Sequence, residues 1–173
     1  MTSVRVKIVD VAAQRGLEDL LRAGRDLRPA MRDIAQGLES EVEFNFAAGG
    51  RPRWTPLKNP PEHRQGGQVL QDSGQLAASI TTDHGSNFAQ IGSNKEYAAI
   101  HQFGGKTKAH TIKAVNKKAL AFGGKFARQV NHPGSDIPAR PYLPITADGD
   151  LQPEARSEVL DTVLRHLKRA ARA

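Results

Sequence analysis

The stretch Ile80-Thr81-Thr82-Asp83-His84-Gly85-Ser86-Asn87-Phe88-Ala89-Gln90-Ile91-Gly92 is where the hydrophobic periodicity of this chain changes. Residues 80–84 and 88–92 read as two short strands around a Gly85-Ser86-Asn87 turn. Upstream the period is helical. Ala30, Ile34, Leu38, Val42 and Phe46 recur every four residues, giving one apolar face to a helix with Pro29 in its first turn and Gly49-Gly50 at its end. Leu17, Leu20, Leu21 and Ala23 mark a shorter amphipathic helix ending near Gly24, and Val4, Val6 and Ile8 alternate as a strand before it. Between the second helix and the strand pair, residues 48–71 hold Pro52, Pro56, Pro60-Pro61 and Gly66-Gly67, and read as an extended loop. Asp72 or Ser73 then caps a short helix through Ser79, with Leu76 and Ile80 facing inward.

Downstream of the strand pair, 96–103 reads as a short helix packing through Tyr97, Ile100 and Phe103 and stopped by Gly104-Gly105. Residues 110–115 and 118–122 alternate around Asn116-Lys117 as a hairpin, Gly123-Gly124 turns, and 125–130 alternates again with Phe126 and Val130 inward. Pro138, Pro141 and Pro144 hold 137–144 extended, because proline restricts both itself and the residue before it. Residues 154–171 close the chain as a helix with Val159, Val163 and Leu167 on its buried face and Arg165, Lys168, Arg169 and Arg172 near its C-terminus. The resulting expectation is an α+β fold. It has a small antiparallel β-sheet, N-terminal helices and a C-terminal helix packed on that sheet, and a long Gly/Pro-rich loop. With 173 residues it reads as a single domain, 1–173, with a helical part at 10–47 and the extended loop at 48–71.

Composition narrows the function classes. There is no cysteine, which removes disulfides and thiolate metal sites and favours a cytoplasmic setting. Residues 1–7 lack the apolar run of a signal peptide, and no stretch approaches the ~18 apolar residues of a membrane span. Hydrophobic residues make up 38% and aromatics 5% of the chain, so the core is lean and burial is expected to be completed against partners. The net charge is +7, and it is localised: residues 51–146 carry 13 Lys+Arg against 5 Asp+Glu. From 97 to 135 there is no acid at all, while Lys106, Lys108, Lys113, Lys117, Lys118, Lys125 and Arg128 are basic. Such a block is either a solvated face or a surface for DNA or an acidic protein.

A search for chemistry returns no enzyme signature. His63, His84, His101, His110, His132 and His166 fall into no metal-ligand spacing, although His110 and His132 are placed to meet across strands. Ser73 and Ser79 sit in no nucleophile elbow, and the glycine pairs lack the spacing of a phosphate-binding loop. No cofactor or metal is implied. The lone tryptophan, Trp54, stands in the proline-rich loop, either tacking it to the body or serving as an interface anchor. Nonspecific duplex DNA binding through the 106–128 block remains the alternative function, without a recognition helix for base reading.

Four motifs in fixed order carry more information than any of these features. They are Trp54-Thr55-Pro56-Leu57; Asp72-Ser73-Gly74 with Leu76 and Ser79-Ile80; Ile91-Gly92-Ser93 with Tyr97-Ala98-Ala99-Ile100-His101-Gln102-Phe103-Gly104-Gly105; and Ile137-Pro138-Ala139-Arg140-Pro141-Tyr142-Leu143. Over roughly residues 44–145 the chain resembles the phage virion morphogenesis family, tail-completion proteins of Mu-like and related tailed phages. Its departures are the absence of a threonine before Gly74 and the long loop at 58–69. The resemblance implies a structural, non-enzymatic protein of the virion, assembled in the bacterial host cytoplasm and acting at the neck or tail end in tail completion and head–tail joining. Its implied partners are copies of itself in a ring, a head-completion or connector protein, and the tail tube or its terminator. Contact with packaged DNA is a further possibility, and no membrane is involved. Interface candidates are Trp54, Tyr97, His101, Arg140 and Tyr142, with the basic block facing DNA or an acidic partner.

Overall fold

The computed structural model describes residues 11–58, 60, 62–64, 67–115, 118–122 and 124–171, the side chains of Ala13, His63 and Phe122 excepted. The strand expected from Val4, Val6 and Ile8 lies outside these residues. Helix α1 spans Val11–Arg25 and α2 spans Arg28–Ala48, with Pro29 in the first turn of α2 and Gly49 in the left-handed conformation at its end. Strands β1 (Ile80–His84) and β2 (Ala89–Ser93) pair antiparallel, Ile80 opposite Ser93 and His84 opposite Ala89. Helix α3 is short, Ala98–Phe103, and α4 runs Pro153–Ala170. The fold is mixed α+β with antiparallel pairing throughout.

Helix α2 is the spine. Ala30, Ile34, Leu38, Val42 and Phe46 are all buried. A four-residue step overshoots the 3.6-residue turn, so this stripe winds around the helix by about 40° per step. Its first half therefore faces a different neighbour from its second. Ile34 and Leu38 pack with Ala155 of α4 and with Ala89, Ile91 and Val159. Val42 and Phe46 pack with Trp54, Leu76, Ala98 and Tyr142, the aromatic rings of Phe46 and Trp54 meeting edge-on at 5.6 Å. Ile91 of β2 touches both clusters and joins them.

The largest correction concerns the pairing after α3. The expected 110–115/118–122 hairpin does not form. Instead β3 (Gly105–Lys106) pairs with β8 (Asp136–Ile137), β4 (His110–Lys113) with β7 (Gln129–His132), and β5 (Leu120–Phe122) with β6 (Lys125–Ala127). The three ladders are nested, and they make one long hairpin from Gly105 to Ile137. The register from Gly105↔Ile137 to Lys113↔Gln129 is continuous, and Ala114 N–H donates to Arg128 O at 3.3 Å. The β5–β6 pairing begins at Leu120↔Ala127. Local turn signals at Asn116-Lys117 were thus outweighed by non-local pairing with 129–132. Two glycines make the base of this hairpin possible: a Cβ at Gly134 (φ +94°) would collide with Thr107 O, and one at Gly104 (φ +71°) would lie 2.7 Å from Ala139 N.

Smaller corrections share one cause: periodicity names a face, and only packing covers it. Phe126, expected inside, is 78% exposed, since no element among the described residues covers it. Helix α3 buries Ala98 and Gln102, leaving Phe103 65% exposed and Tyr97, in the turn before it, 41% exposed. In α4 the buried positions are Ala155 and Thr162 rather than Val163 and Leu167, and Val159 is partly covered. Close approach to α2, where Gly37 meets the Glu158 side chain, selects small residues on the contact line. The helix expected from Asp72 or Ser73 is only a single 3-10 turn at Ala77–Ser79, and α1 begins earlier than Leu17.

Because Phe46 anchors the larger cluster and Phe126 touches neither cluster, Phe46→Ala is expected to lower unfolding stability by about 3–5 kcal/mol. Phe126→Ala should change it by less than about 0.5 kcal/mol. Urea unfolding followed by circular dichroism checks both, and equal losses would mean that the hairpin packs on the body.

Candidate functional site

The extended segment Pro138–Pro144 brings three of the four sequence motifs together. Proline supplies no N–H, so the few donors of this segment each need a defined acceptor. Arg140 N–H donates to His101 O at 2.7 Å, and the N–H groups of Tyr142 and Leu143 both donate to Oε1 of Gln102 at 2.9 Å. In return, Pro141 O accepts from Trp54 Nε1 at 2.9 Å, and Tyr142 O accepts from Asn45 Nδ2 at 3.1 Å. The Arg140 guanidinium reaches the loop, its Nε donating to Thr55 O at 2.8 Å. A second layer completes the set: Asn45 Nδ2 also donates to Gln152 Oε1, Arg51 Nε donates to Asn45 Oδ1, and Arg51 pairs with Glu41 at 2.6 Å.

Trp54, Arg140 and Tyr142 are therefore enclosed by their own chain and brace the loop against the body. Tyr97 and His101 stay nearer the surface, their rings 5.9 Å apart and edge-on. With Arg64, Ser73, Leu76 and Arg140 they line a cleft of about 230 Å³, which the Asp72-Ser73-Gly74 motif also borders. His101 Nδ1 is buried without a hydrogen-bond partner among the described residues. Burial, and then the positive charge of Arg140, hold the His101 pKa below its ordinary 6.5. The Ser73 and His101 residue types invite a nucleophile–base reading. But the Arg140 guanidinium beside His101 disfavours the charged imidazolium that a general base passes through.

The other exposed feature is the 105–137 hairpin. Its described residues belong to neither core cluster. Lys106 is paired with Asp136 at 3.4 Å, whereas Lys108, Lys113, Lys118, Lys125 and Arg128 are exposed and have no acidic partner among the described residues. Lys117 lies outside them. The register puts His110 and His132 opposite each other, with rings stacked at 5.2 Å, beside the Ile112–Val130 pair on the same face. The other face carries Thr111–Asn131, joined by a 2.9 Å hydrogen bond, and Lys113–Gln129. Val115 is 89% exposed, so the basic arm also presents apolar groups, with Phe126 near its tip. Among the described residues no group of three or more His, Asp or Glu side chains is arranged to hold a metal ion, and no helix is long and apolar enough to cross a membrane.

Sequence reasoning missed Asn45, Gln102 and Gln152, the amides that organise the Pro138–Pro144 segment. A signal for Asn45 existed: asparagine is a poor helix former in the last turn of an apolar stripe, where it must bond something outside the helix.

Comparison with known proteins places these features in a family. The sequence profile of the phage virion morphogenesis family matches residues 8–168. Mu-like prophage FluMu G protein 2 of Haemophilus influenzae is 39% identical over 147 residues, covering 85% of this chain and 83% of that protein. Putative capsid assembly protein G of Escherichia phage Mu is 33% identical over 106 residues, covering 61% of this chain and 51% of that protein's length. No solved structure matches the chain.

Replacing Gln102 with Leu strips the acceptor from two N–H groups in the core, and is expected to cost about 2–5 kcal/mol in urea unfolding. The His101 shift has a definite sign. Since the folded chain holds this proton less tightly than the unfolded chain, stability should decline as pH falls through the ordinary histidine value of 6.5. His101→Gln should flatten that decline in thermal melts taken between neutral and mildly acidic pH, and an unchanged profile would assign the slope to other groups.

Proposed function

The chain belongs to the phage virion morphogenesis family and is a structural protein of phage assembly, and we propose that it acts at the neck or tail end, in tail completion and the joining of tails to filled heads. The observation that carries this reading is the long basic arm, which buries almost nothing within its own chain. Two-stranded ribbons of this kind are marginal alone and gain their order by packing on a neighbour. The compact body, locked by the Pro138–Pro144 contacts, supplies a rigid mount for such an arm.

The partners in this proposal are further copies of the chain in a ring, a head-completion or connector protein, and the tail tube or its terminator. The location is the virion, after assembly in the bacterial host cytoplasm. The phage Mu relative is named for capsid assembly, and a protein of the head–tail joint fits that name as well as a tail role. The reading is non-enzymatic, in keeping with membership of a virion morphogenesis family.

The unpaired cations of the arm favour one second reading, a small nonspecific duplex DNA-binding protein. That reading requires retention on duplex DNA at physiological ionic strength that drops steeply with added salt.

Electron microscopy of a lysate from a phage with this gene interrupted tests the first reading. Filled heads beside unattached or misshapen tails are the expected outcome, and intact infectious particles would remove the structural role. Replacing Lys113, Lys117 and Lys118 together with Gln should reduce head–tail joining or DNA retention in the particle, measured as infectious yield.

A further inference from the structure

The outer side of α2 carries a surface that complements the arm. Glu39 and Glu43, one turn apart, rim a groove of about 390 Å³ whose floor is Phe46, Ala77, Ala78 and Ile80. Glu41 between them is neutralised by Arg51, but neither Glu39 nor Glu43 has an ion-pair partner among the described residues. The groove is thus acid-rimmed and apolar at its base. The arm has the reverse pattern: Phe126 is largely exposed, and Lys118, Lys125 and Arg128 in the outer part of the same hairpin have no acidic partner among the described residues. Each surface leaves apolar area in water and like charges uncompensated, and each supplies what the other lacks.

We propose that the arm of one copy docks in the α2 groove of a second copy, Phe126 seated on the apolar floor and the flanking cations meeting Glu39 and Glu43. This rests on the reading that copies of the chain assemble with one another, and it names the surfaces by which they do. Lysine and arginine stems are long enough to lie along an apolar floor while their heads reach carboxylates at its rim. Arm and groove are different parts of the chain, so the contact is heterologous. Each copy offers one arm and receives another, and repetition closes into a ring when the rotation allows.

A charge-exchange experiment on the full chain tests this. One variant carries Lys125→Glu and Arg128→Glu; the other carries Glu39→Lys and Glu43→Lys. All these side chains are outside the hydrogen-bonded core, and matching melting curves establish that both variants fold. In analytical ultracentrifugation the wild-type chain should self-associate with rising concentration, and the association should weaken with salt. Each variant alone should associate at least about tenfold more weakly, because like charges then face each other. An equimolar mixture should recover association, since each reversed arm now meets a reversed groove and each native arm a native one. Phe126→Ser should weaken association without altering its salt dependence. A wild-type chain that stays monomeric at all concentrations overturns the proposal, as does a mixture no more associated than its components. Loss of duplex DNA retention in the arm variant with self-association unchanged also overturns it, and assigns the arm to DNA. Failure here is separate from failure of the neck reading, which is decided by particle morphology when the gene is interrupted.

Discussion

The side-chain oxygen of Gln102 accepts the N–H groups of both Tyr142 and Leu143, and the rest of the structure hangs on that shared acceptor. A segment with three prolines in seven residues cannot join a sheet in the ordinary way, since it lacks a regular row of donors. It can enter a core only if side chains satisfy the groups that remain. Gln102 takes two donors, Asn45 and Trp54 donate to two carbonyls, and Arg140 reaches back to the loop at Thr55. Each such bond has a net worth of about 1 kcal/mol, but each buried group left unmet costs about 1–3 kcal/mol. The polar set is therefore close to all-or-none, and it ties α2, α3, the proline-rich loop and the entry to α4 into one unit.

That unit also aims the arm. The two ends of the 105–137 hairpin leave the body between the end of α3 and the start of the Pro138–Pro144 segment, with the Cβ-free position at Gly104 pressed against Ala139. The root of the arm is thus fixed by the same contacts that hold the core. Beyond the root, its described residues add nothing to either hydrophobic cluster. The chain thus divides into a lean, amide-braced body and a basic ribbon whose apolar side chains at Val115 and Phe126 lie largely in solvent.

The helical stripe of α2 was legible because its four-residue recurrence holds across five apolar positions, and the β1–β2 pair because its turn residues sit between alternating segments. In the arm the strands, the turn between Phe122 and Lys125 and the His110–His132 pairing were legible, but not which strand pairs with which. The Asn116-Lys117 signal predicted a local hairpin of 110–115 with 118–122, whereas the 110–113 strand pairs with residues 16 to 22 positions further on. The motif residues Trp54, Arg140 and Tyr142 announced themselves as a set, yet nothing in their spacing said that they face each other rather than outward. Gln102 and Asn45 gave weaker signals still, because a buried amide is defined by the backbone groups it meets.

By itself the sequence determined the element types, the course of the α2 stripe, the family and the concentration of positive charge between Glu96 and Asp136. These depend on local periodicity, on proline and glycine geometry, and on counting. The tertiary structure alone decided the strand partners of the arm, the inward placement of Trp54, Arg140 and Tyr142, and the exposure of Phe126. Each of these turns on which distant surface arrives to cover a face or meet a donor, and periodicity along one chain carries no information about that arrival.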